Sequence, residues 1–385
     1  MRKSISKQYF QIVMFLLCVI STPALAREQR KTVIYGSDTR VEALESHDPM
    51  LVDYSFSVAG LVREYDLFPA QGKGSFELEE DLKEEVEKLR GKVDRETYNF
   101  LLSLLESEEN EEQKKEDEEQ ILALSRLKSI KKLKGRSKNL LRYFLYRLTR
   151  GDYNGDVFKF DDNQSVTSVF NACPNERFAE QTVLPQCTGF LVKDDVLLTA
   201  GHCLKTVDDC RNSLWVFEYY KGANAIPARN VFKCKEILAH KESLKKIFTS
   251  KLTLSVRDYT LVRLDRKAKG RKPLKIRTKG RGPLKGEKLA VIGHPLGLPM
   301  KIATGEVTSS FHWSYFKTNL DTFFGNSGSP VINLKTGEVE GLLFDGENDY
   351  IEDKSDDISC RKTNVLSRSK GDEKVLRISK VPTLK

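Results

Sequence analysis

The chain has 385 residues, of which 31% are charged and 39% hydrophobic, and its formal net charge is +9. This length is ample for two or three domains with hydrophobic cores of their own. The composition excludes a multi-span membrane protein, a collagen and a small disulfide-rich scaffold, and the basic balance indicates a soluble protein with some affinity for anionic partners.

The first 26 residues have the pattern of a secretory signal peptide. Arg2, Lys3 and Lys7 precede a short apolar run at 12–20, and an Ala-Leu-Ala cleavage site ends at residue 26. The apolar run is too short to span a bilayer, and no later stretch reaches about 18 apolar residues. We therefore expect a secreted or periplasmic protein with no integral membrane span after signal removal.

Export changes the interpretation of the cysteines. Cys18 would leave with the signal peptide, so six cysteines remain in the mature chain. An even number in an oxidising compartment favours disulfides over metal ligands, but spacing alone does not select the pairing. The six are Cys173, Cys187, Cys203, Cys210, Cys234 and Cys360.

Residues 72–155 differ in composition from the flanking chain. Residues 77–119 carry 18 acidic and 7 basic side chains, a net charge of −11, whereas residues 120–150 carry 10 basic and no acidic side chains. Both halves have apolar residues at helical spacing, and their opposite charges favour antiparallel pairing. The simplest interpretation is a solvated helical insertion, and the alternative is a partner-binding or self-inhibitory arm. The apolar positions are Leu78, Leu82, Val86, Leu89, Val93, Leu124, Leu127, Ile130, Leu133, Leu141, Phe144, Leu145 and Leu148.

Two regions outside this block have the pattern of β-structure. The apolar run 58–62 indicates a short strand in the N-terminal segment 27–71. From residue 156 onward, short apolar runs alternate with Gly, Asp and Asn, which is typical of a β-sandwich or β-barrel.

The segment Gly-Asn-Ser-Gly-Ser-Pro at 325–330 places Ser327 on a tight turn between glycines. Backbone amides at such a turn can point at one spot, which suits a developing oxyanion. A serine hydroxyl is almost fully protonated at neutral pH, so it needs a base, normally histidine, and the base needs an acid to fix its tautomer.

His202 is the candidate base, in the segment Thr-Ala-Gly-His-Cys at 199–203. It follows a predicted hairpin over 190–198 and therefore lies at a strand end, which is a rigid place for an imidazole. The other mature histidines have no comparable surroundings and are interpreted as surface or packing residues. They are His47, His240, His294 and His312.

Asp258 is the candidate acid, because it directly precedes the apolar strand-like run 259–264 and can reach the edge of the core. Asp265 at the far end of the run is a weaker rival, and Asp208 and Asp209 lie too near the candidate histidine in sequence. The order histidine, aspartate, serine is one of the three familiar serine-hydrolase orders. Each motif alone has a structural interpretation, whereas the three in this order indicate a nucleophilic hydrolase.

These motifs resemble those of the trypsin-like serine peptidases, and more closely their secreted bacterial branch, which includes the glutamyl endopeptidases. The resemblance covers about residues 32–66 and 157–365, and Gly-His-Pro at 293–295 also looks like that branch. It implies an all-β, chymotrypsin-like fold of two antiparallel six-stranded β-barrels with an inserted charged α-helical segment. Residues 27–71 and 156–265 would form barrel 1, and residues 266–385 barrel 2 and a basic tail.

The resemblance implies a site in the crevice between the barrels. His202 would take the proton of Ser327 as it attacks a peptide carbonyl, Asp258 would orient His202, and the amides of Gly325 and Ser327 would form the oxyanion hole. No metal and no organic cofactor are implied. A Cys187–Cys203 disulfide is implied as well, whereas Cys210–Cys234 and Cys173–Cys360 are a working choice for the other four cysteines.

The resemblance places Asp321, six residues before the candidate nucleophile, at the base of the primary specificity pocket, with Thr322, Leu343, Phe344 and Asp345 around it. A buried carboxylate there would select substrates with Arg or Lys. The alternative is that Asp321 is simply hydrogen-bonded inside the barrel. Leu343 stands where glutamyl endopeptidases have a histidine, which argues against glutamate selectivity, and Asp345 stands where the family usually has a small residue.

Maturation and function each leave alternatives. Val33 resembles the new N-terminus that the family exposes on activation, with Arg30 and Lys31 as a processing region, but the chain can equally start at Arg27. The expected function is a secreted endopeptidase acting on proteins or peptides, with no nucleic acid as partner. One rival is a catalytically silent binding protein whose insertion 72–155 engages a partner, and another is a nucleic-acid or membrane-surface binder acting through residues 126–150.

Overall fold

The structure is a computed structural model of the full chain. It describes residues 33–74, 153–244, 256–346, 349–353 and 360–381, together with residues 87, 90, 95, 98, 99 and 102. In these residues the helices are short: α1 (Pro49–Ser55), α2 (Val166–Phe170) and α3 (Val207–Arg211), with 3-10 turns at Ala43–Glu45, Glu64–Asp66, Gly201–Cys203, Ala228–Asn230, Pro295–Gly297, Arg368–Lys370 and Ile378–Lys380.

The strands of the described chain fall into two groups. The first comprises β1 (Ile34–Tyr35), β2 (Val41–Glu42), β3 (Val58–Arg63), β4 (Phe68–Gly74), β5 (Tyr153–Lys159), β6 (Cys187–Lys193), β7 (Val196–Thr199), β8 (Ser213–Phe217), β9 (Ile226–Pro227), β10 (Val231–Leu244) and β11 (Val256–Leu264). The second comprises β12 (Lys288–Gly293), β13 (Lys301–Ser309), β14 (Tyr315–Thr318), β15 (Pro330–Asn333), β16 (Val339–Asp345), β17 (Tyr350–Asp353), β18 (Cys360–Thr363), β19 (Val365–Leu366) and β20 (Glu373–Arg377).

Six antiparallel strands close the first barrel in the order β3, β8, β10, β11, β7, β6. Its interior is filled by large side chains that are fully buried, among them Phe190, Trp215 and Phe217. Truncating a buried aromatic of this size typically costs about 3–5 kcal/mol, so this packing is a major source of stability. The apolar runs of the sequence thus become strands because both barrel walls and interior bury them.

The second barrel has the ring order β12, β15, β16, β20, β14, β13 and closes through the pairing of β12 with β13. Strand β2 of the N-terminal segment adds to its edge on β13. The predicted fold of two antiparallel six-stranded barrels is confirmed. The assignment of the C-terminal residues as a tail needs correction, since Glu373–Arg377 form the barrel strand β20; a five-residue strand of mixed polarity gives too weak an alternation to stand out.

The inserted segment leaves and re-enters the fold on neighbouring strands. Strands β4 and β5 pair from Phe68 with Lys159 to Gly74 with Tyr153, so residues 72–74 and 153–155 belong to a hairpin stem rather than to the insertion. The apolar positions on which the two predicted helices rest lie outside the described residues. The described positions Glu87, Arg95, Tyr98, Asn99 and Leu102 are helical.

Three disulfides pair all six mature cysteines. They are Cys173–Cys360, Cys187–Cys203 and Cys210–Cys234. The middle one joins the start of β6 to the turn after β7, where the candidate base lies. No helix of the described chain is long and apolar enough to cross a membrane.

Candidate active site

The structure brings His202 and Asp258 together at one rim of the first barrel. Strand β7 pairs with β11, and the 3-10 turn that follows β7 carries His202 over the start of β11. The backbone N–H of His202 donates to Asp258 Oδ1 at 2.9 Å, and the ring Nδ1 lies 2.7 Å from Oδ2. Gly201 permits this approach, because a Cβ there would lie 2.8 Å from Asp258 Oδ1 and 2.4 Å from the carbonyl of Lys241.

This pairing fixes the tautomer of His202. A carboxylate accepts hydrogen bonds, so Nδ1 carries the proton and Nε2 keeps its lone pair. Asp258 is only 3% exposed and both of its oxygens contact His202. Nε2 is buried and has no hydrogen-bond partner in the described part of the chain. The imidazole is therefore arranged to accept a proton from a group placed on its Nε2 side.

Ser327 lies on a loop whose conformation requires glycine on both sides. Gly325 has φ +94° and Gly328 has φ +88°, which side-chain-bearing residues rarely adopt. A Cβ would lie 2.2 Å from the His294 carbonyl at Gly325, and 2.1 Å from the Thr188 carbonyl at Gly328. The loop from barrel 2 is thus pressed against backbone from two other segments, with Ser327 half-buried at its tip.

Thr188 holds this loop from barrel 1. Its backbone N–H donates to the Ser327 carbonyl at 2.9 Å, and its hydroxyl donates to the Gly325 carbonyl at 2.8 Å. The same hydroxyl accepts the His294 backbone N–H at 3.1 Å. Thr188 is fully buried and follows Cys187, whose disulfide partner Cys203 follows the candidate base. One disulfide-linked unit therefore supports both the histidine and the serine loop.

The peptide before Gly325 is held at both ends. The Phe324 carbonyl accepts the backbone N–H of Leu296, and the Phe324 N–H donates to Asp349 Oδ2 at 3.2 Å. In a trans peptide the next N–H points away from the carbonyl, so the Gly325 N–H faces away from the 295–297 turn. Burial raises the pKa of Asp349 well above its ordinary value, whereas the Phe324 amide opposes this shift.

The amides of the serine loop divide into two sets. Those of Asn326, Gly328 and Ser329 donate to the carbonyls of Phe323, Leu343 and Asn326. Those of Gly325 and Ser327 donate to no acceptor among the described residues. Two amides two residues apart are the donors that an oxyanion needs, and their neighbours' bonds fix the turn that presents them.

Asp321 contacts the N-terminal segment. Its Oδ1 accepts the Tyr35 N–H at 2.7 Å, and its Oδ2 accepts the Thr39 N–H at 2.8 Å and the Thr39 hydroxyl at 2.5 Å. It is 1% exposed, and burial raises its pKa, although the bonds from Thr39 and Tyr35 lower it. Of the two interpretations of Asp321, these contacts match the carboxylate that is hydrogen-bonded inside the protein.

The other four residues assigned to the specificity pocket have different surroundings. Leu343 packs in the core of barrel 2 and supports the serine loop through its carbonyl, which accepts the Gly328 N–H at 2.7 Å. Phe344 is buried and packs edge-on against Tyr315. The Asp345 carboxylate is exposed and pairs with Lys374 at 2.6 Å.

Thr322 points to a residue that the sequence did not reveal. Its hydroxyl donates to Glu373 Oε2 at 2.5 Å, the Tyr35 hydroxyl donates to Oε1 at 3.2 Å, and Glu373 is fully buried. A Cβ at Gly346 would lie 2.1 Å from Glu373 Oε2, so the carboxylate also packs against that strand end. No signal marks Glu373, because a glutamate in the polar stretch Gly-Asp-Glu-Lys is typical of a solvated surface.

Cys187, His202 and Cys203 bring potential metal-ligand atoms within 4.8 Å of one another. The two sulfurs are joined in a disulfide, and His202 Nδ1 is engaged by Asp258. This cluster is thus accounted for by covalent and hydrogen bonds. Thiolates are the form in which cysteine binds metals, and a disulfide has none.

Two closed barrels, with a histidine–aspartate pair on one and a glycine-flanked serine loop on the other, define a protein of the chymotrypsin-like fold. The family model described as "Trypsin-like peptidase domain" matches residues 187–342, a range that includes His202, Asp258 and Ser327. These residues form a trypsin-like peptidase domain, and the resemblance to the trypsin-like serine peptidases is confirmed. The narrower resemblance to the glutamyl endopeptidase branch stays a prediction.

Among solved structures, the chain is similar to the serine endoprotease from Yersinia pestis, with 14% sequence identity and a TM-score of 0.31. The match covers 46% of this chain and 53% of that chain, so it spans about half the length of the solved structure. The sequence has no match among curated proteins.

Proposed function

We propose that the protein is a serine endopeptidase that hydrolyses peptide bonds through His202, Asp258 and Ser327 and an acyl-enzyme intermediate. The observation that carries the proposal is the His202–Asp258 pair, 2.7 Å apart, which leaves a buried Nε2 lone pair in a domain of the trypsin-like family. A buried base of fixed tautomer is what a serine nucleophile requires.

In the first half of the reaction, Ser327 Oγ attacks the substrate carbonyl and its proton passes to His202 Nε2. Asp258 stabilises the resulting imidazolium through the Nδ1 hydrogen bond and remains ionised. The carbonyl oxygen becomes an oxyanion, and the amides of Gly325 and Ser327 donate to it. His202 then gives the proton to the leaving amine, and the acyl group stays on Ser327.

In the second half, a water molecule attacks the acyl-enzyme carbonyl and transfers its proton to Nε2. The second oxyanion is stabilised by the same two amides, and its collapse returns the proton to Ser327 Oγ. Rigid amides are effective here because they need no reorientation when charge develops; losing one such donor typically costs about 10²- to 10³-fold in kcat.

The test is labelling with a fluorophosphonate probe together with hydrolysis of a casein-type protein substrate. Wild type should label and hydrolyse, whereas Ser327→Ala should do neither and His202→Ala should lose about 10⁴-fold or more in turnover. Ser369→Ala, at an exposed serine of the 368–370 turn, is the matched control and should behave as wild type. Folded wild-type protein that neither labels nor hydrolyses would favour the silent binding protein.

Cleavage after Arg or Lys stays a prediction, and the contacts support Glu373 rather than Asp321 as the selecting carboxylate. Both oxygens of Asp321 bond to the N-terminal segment, whereas Glu373 lies against Thr322 and Gly346. Profiling on a peptide library should show a basic preference that Glu373→Gln weakens and Asp321→Asn retains. A preference for glutamate or for apolar residues in the wild type would refute the basic selectivity itself.

We further propose that the protein is exported, because three disulfides are typical of oxidising compartments. Maturation at Arg27 or at Val33 is decided by sequencing the N-terminus of the secreted protein. Val33 is fully buried and Ile34 pairs with β19, so the chain is already part of the fold from this point. A start at Arg27 alone would remove the zymogen hypothesis.

A further inference from the structure

The connection between β13 and β14 exposes aromatic side chains in an unusual way. Phe311 is 97% exposed and Trp313 is 48% exposed, within a connection of five residues, 310–314. Leu284 on the neighbouring turn is 47% exposed. Single exposed apolar residues are ordinary, but three on adjacent loops form a patch, and such patches mark interaction sites.

This connection is held firmly from below. Arg377 on β20 donates to the carbonyl and the hydroxyl of Ser310, both at 2.9 Å, and to the His312 carbonyl at 3.2 Å. The Ser310 hydroxyl donates to the Pro283 carbonyl at 2.5 Å, which joins the connection to the turn that carries Leu284. His312 stacks on Tyr315 with ring centroids 4.0 Å apart. Phe311 therefore projects from an anchored base.

The surroundings of these side chains are cationic. Segments 278–286, 309–316 and 378–381 contain four Lys or Arg residues and no Asp or Glu. The Lys380 ammonium lies 4.2 Å from the centroid of the Trp313 ring. We call this surface the hairpin patch. It consists of Lys279, Arg281, Leu284, Lys285, Phe311, Trp313 and Lys380.

We propose that the hairpin patch docks the protein on an anionic lipid bilayer. Phe311, Trp313 and Leu284 are the side chains that enter the interfacial region of a bilayer, where Trp keeps its N–H in the hydrated layer. The surrounding cations complement the surface potential of anionic headgroups, and each contributes about fivefold to binding near such a surface. An acidic polypeptide would satisfy the cations, but it gives no reason for a phenyl ring to stand clear of the protein.

This proposal is independent of the peptidase activity and of the basic stretch 120–150. Its test is cosedimentation of the full-length mature protein with vesicles of equimolar phosphatidylglycerol and phosphatidylcholine, compared with vesicles of phosphatidylcholine alone. Wild type should bind the anionic vesicles, and added salt should weaken the binding because it screens the cations.

Two variants separate the apolar from the ionic contribution. Phe311→Ser with Trp313→Ser should weaken binding to anionic vesicles at least about 10-fold, since the inserted apolar surface is lost. Replacing Lys279, Arg281 and Lys285 by Gln should weaken it about 100-fold, following the contribution of each cation.

Matched controls change the same kinds of residue elsewhere. Tyr65→Ser with Phe68→Ser removes two rings that are 71% and 56% exposed, and Lys267, Lys269 and Lys272 replaced by Gln remove three exposed cations beside the β6–β7 turn. Both controls should bind vesicles as wild type does. The proposal is overturned if wild type does not bind anionic vesicles, if the patch variants bind as well as wild type, or if the protein binds polyglutamate but not the vesicles.

Discussion

Removing one hydroxyl from Thr188 should damage catalysis more than it damages the fold. Thr188→Val keeps the volume and the backbone N–H of this residue but deletes the hydroxyl that joins the Gly325 carbonyl to the His294 amide. Both groups lie in a buried region, and each unsatisfied buried polar group costs about 1–3 kcal/mol. The serine loop would shift to recover hydrogen bonds, and Gly325 carries one of the two proposed oxyanion donors.

The size of the effect follows from what the loop positions. A misplacement of about 1 Å at a reacting group costs about 10²-fold, and complete loss of one oxyanion donor costs about 10²- to 10³-fold. Because the backbone bond from Thr188 to Ser327 remains, we expect the lower part of this range, a fall in kcat of about 10- to 100-fold with little change in KM. A peptide boronate, which mimics the tetrahedral intermediate, should lose affinity in parallel.

The assay compares kcat, KM, boronate affinity and the free energy of unfolding across three variants. Thr188→Ser retains the hydroxyl and should recover most of kcat. Thr308→Val removes a hydroxyl that donates to the Gly371 carbonyl at 2.8 Å, so it is a control for losing one such bond away from the site. If Thr188→Val loses stability as Thr308→Val does but keeps the wild-type kcat and boronate affinity, the positioning role is refuted.

Three further predictions concern stability and the insertion. Replacing Cys187 and Cys203 together by Ala should lower the free energy of unfolding by about 3 kcal/mol, since their sequence separation is 16, and an unchanged urea midpoint would contradict this. Burial lowers the pKa of His294 to about 4 from 6.5, so the unfolded state takes up a proton that the folded state does not. The free energy of unfolding should fall by about 3 kcal/mol as the pH drops from 6.5 to 4, and His294→Gln should flatten this part of the urea-derived profile. Replacing residues 75–152 by an Asn-Gly turn should leave hydrolysis of a short peptide unchanged, because Gly74 pairs with Tyr153; a marked gain in activity would indicate a self-inhibitory arm instead.

The parts of the site that sequence predicts are those encoded in contiguous motifs. His202 is identified by its neighbours at 199–203, and Ser327 by the glycines that its turn requires. Asp258 is identified because a carboxylate directly before an apolar strand has few structural reasons to be there. The two-barrel fold follows from the same motifs through resemblance, whereas the apolar runs alone leave a sandwich and a barrel equally open.

The parts that sequence does not predict depend on contacts between distant segments. Thr188 is one of many strand threonines until the fold sets it against Gly325, 137 residues later. Glu373 occurs in a polar stretch that gives no sign of burial, and only the closure of barrel 2 places it against Thr322. Burial of a polar side chain is a property of the tertiary structure, so local pattern underestimates such residues.

The N-terminal segment connects these observations to maturation. Asp321 accepts the backbone N–H groups of Tyr35 and Thr39, and the Tyr35 hydroxyl reaches Glu373, which in turn accepts from Thr322. Residues 35–39 therefore hold both Asp321 and the carboxylate beside Thr322, and they do so through peptide and side-chain donors rather than through a terminal ammonium. Since every one of these donors lies after Val33, cleavage before Val33 would leave the contacts intact, and so would retention of the chain from Arg27. The order of this loop should thus depend on the presence of residues 35–39 and not on which of the two starts the cell uses.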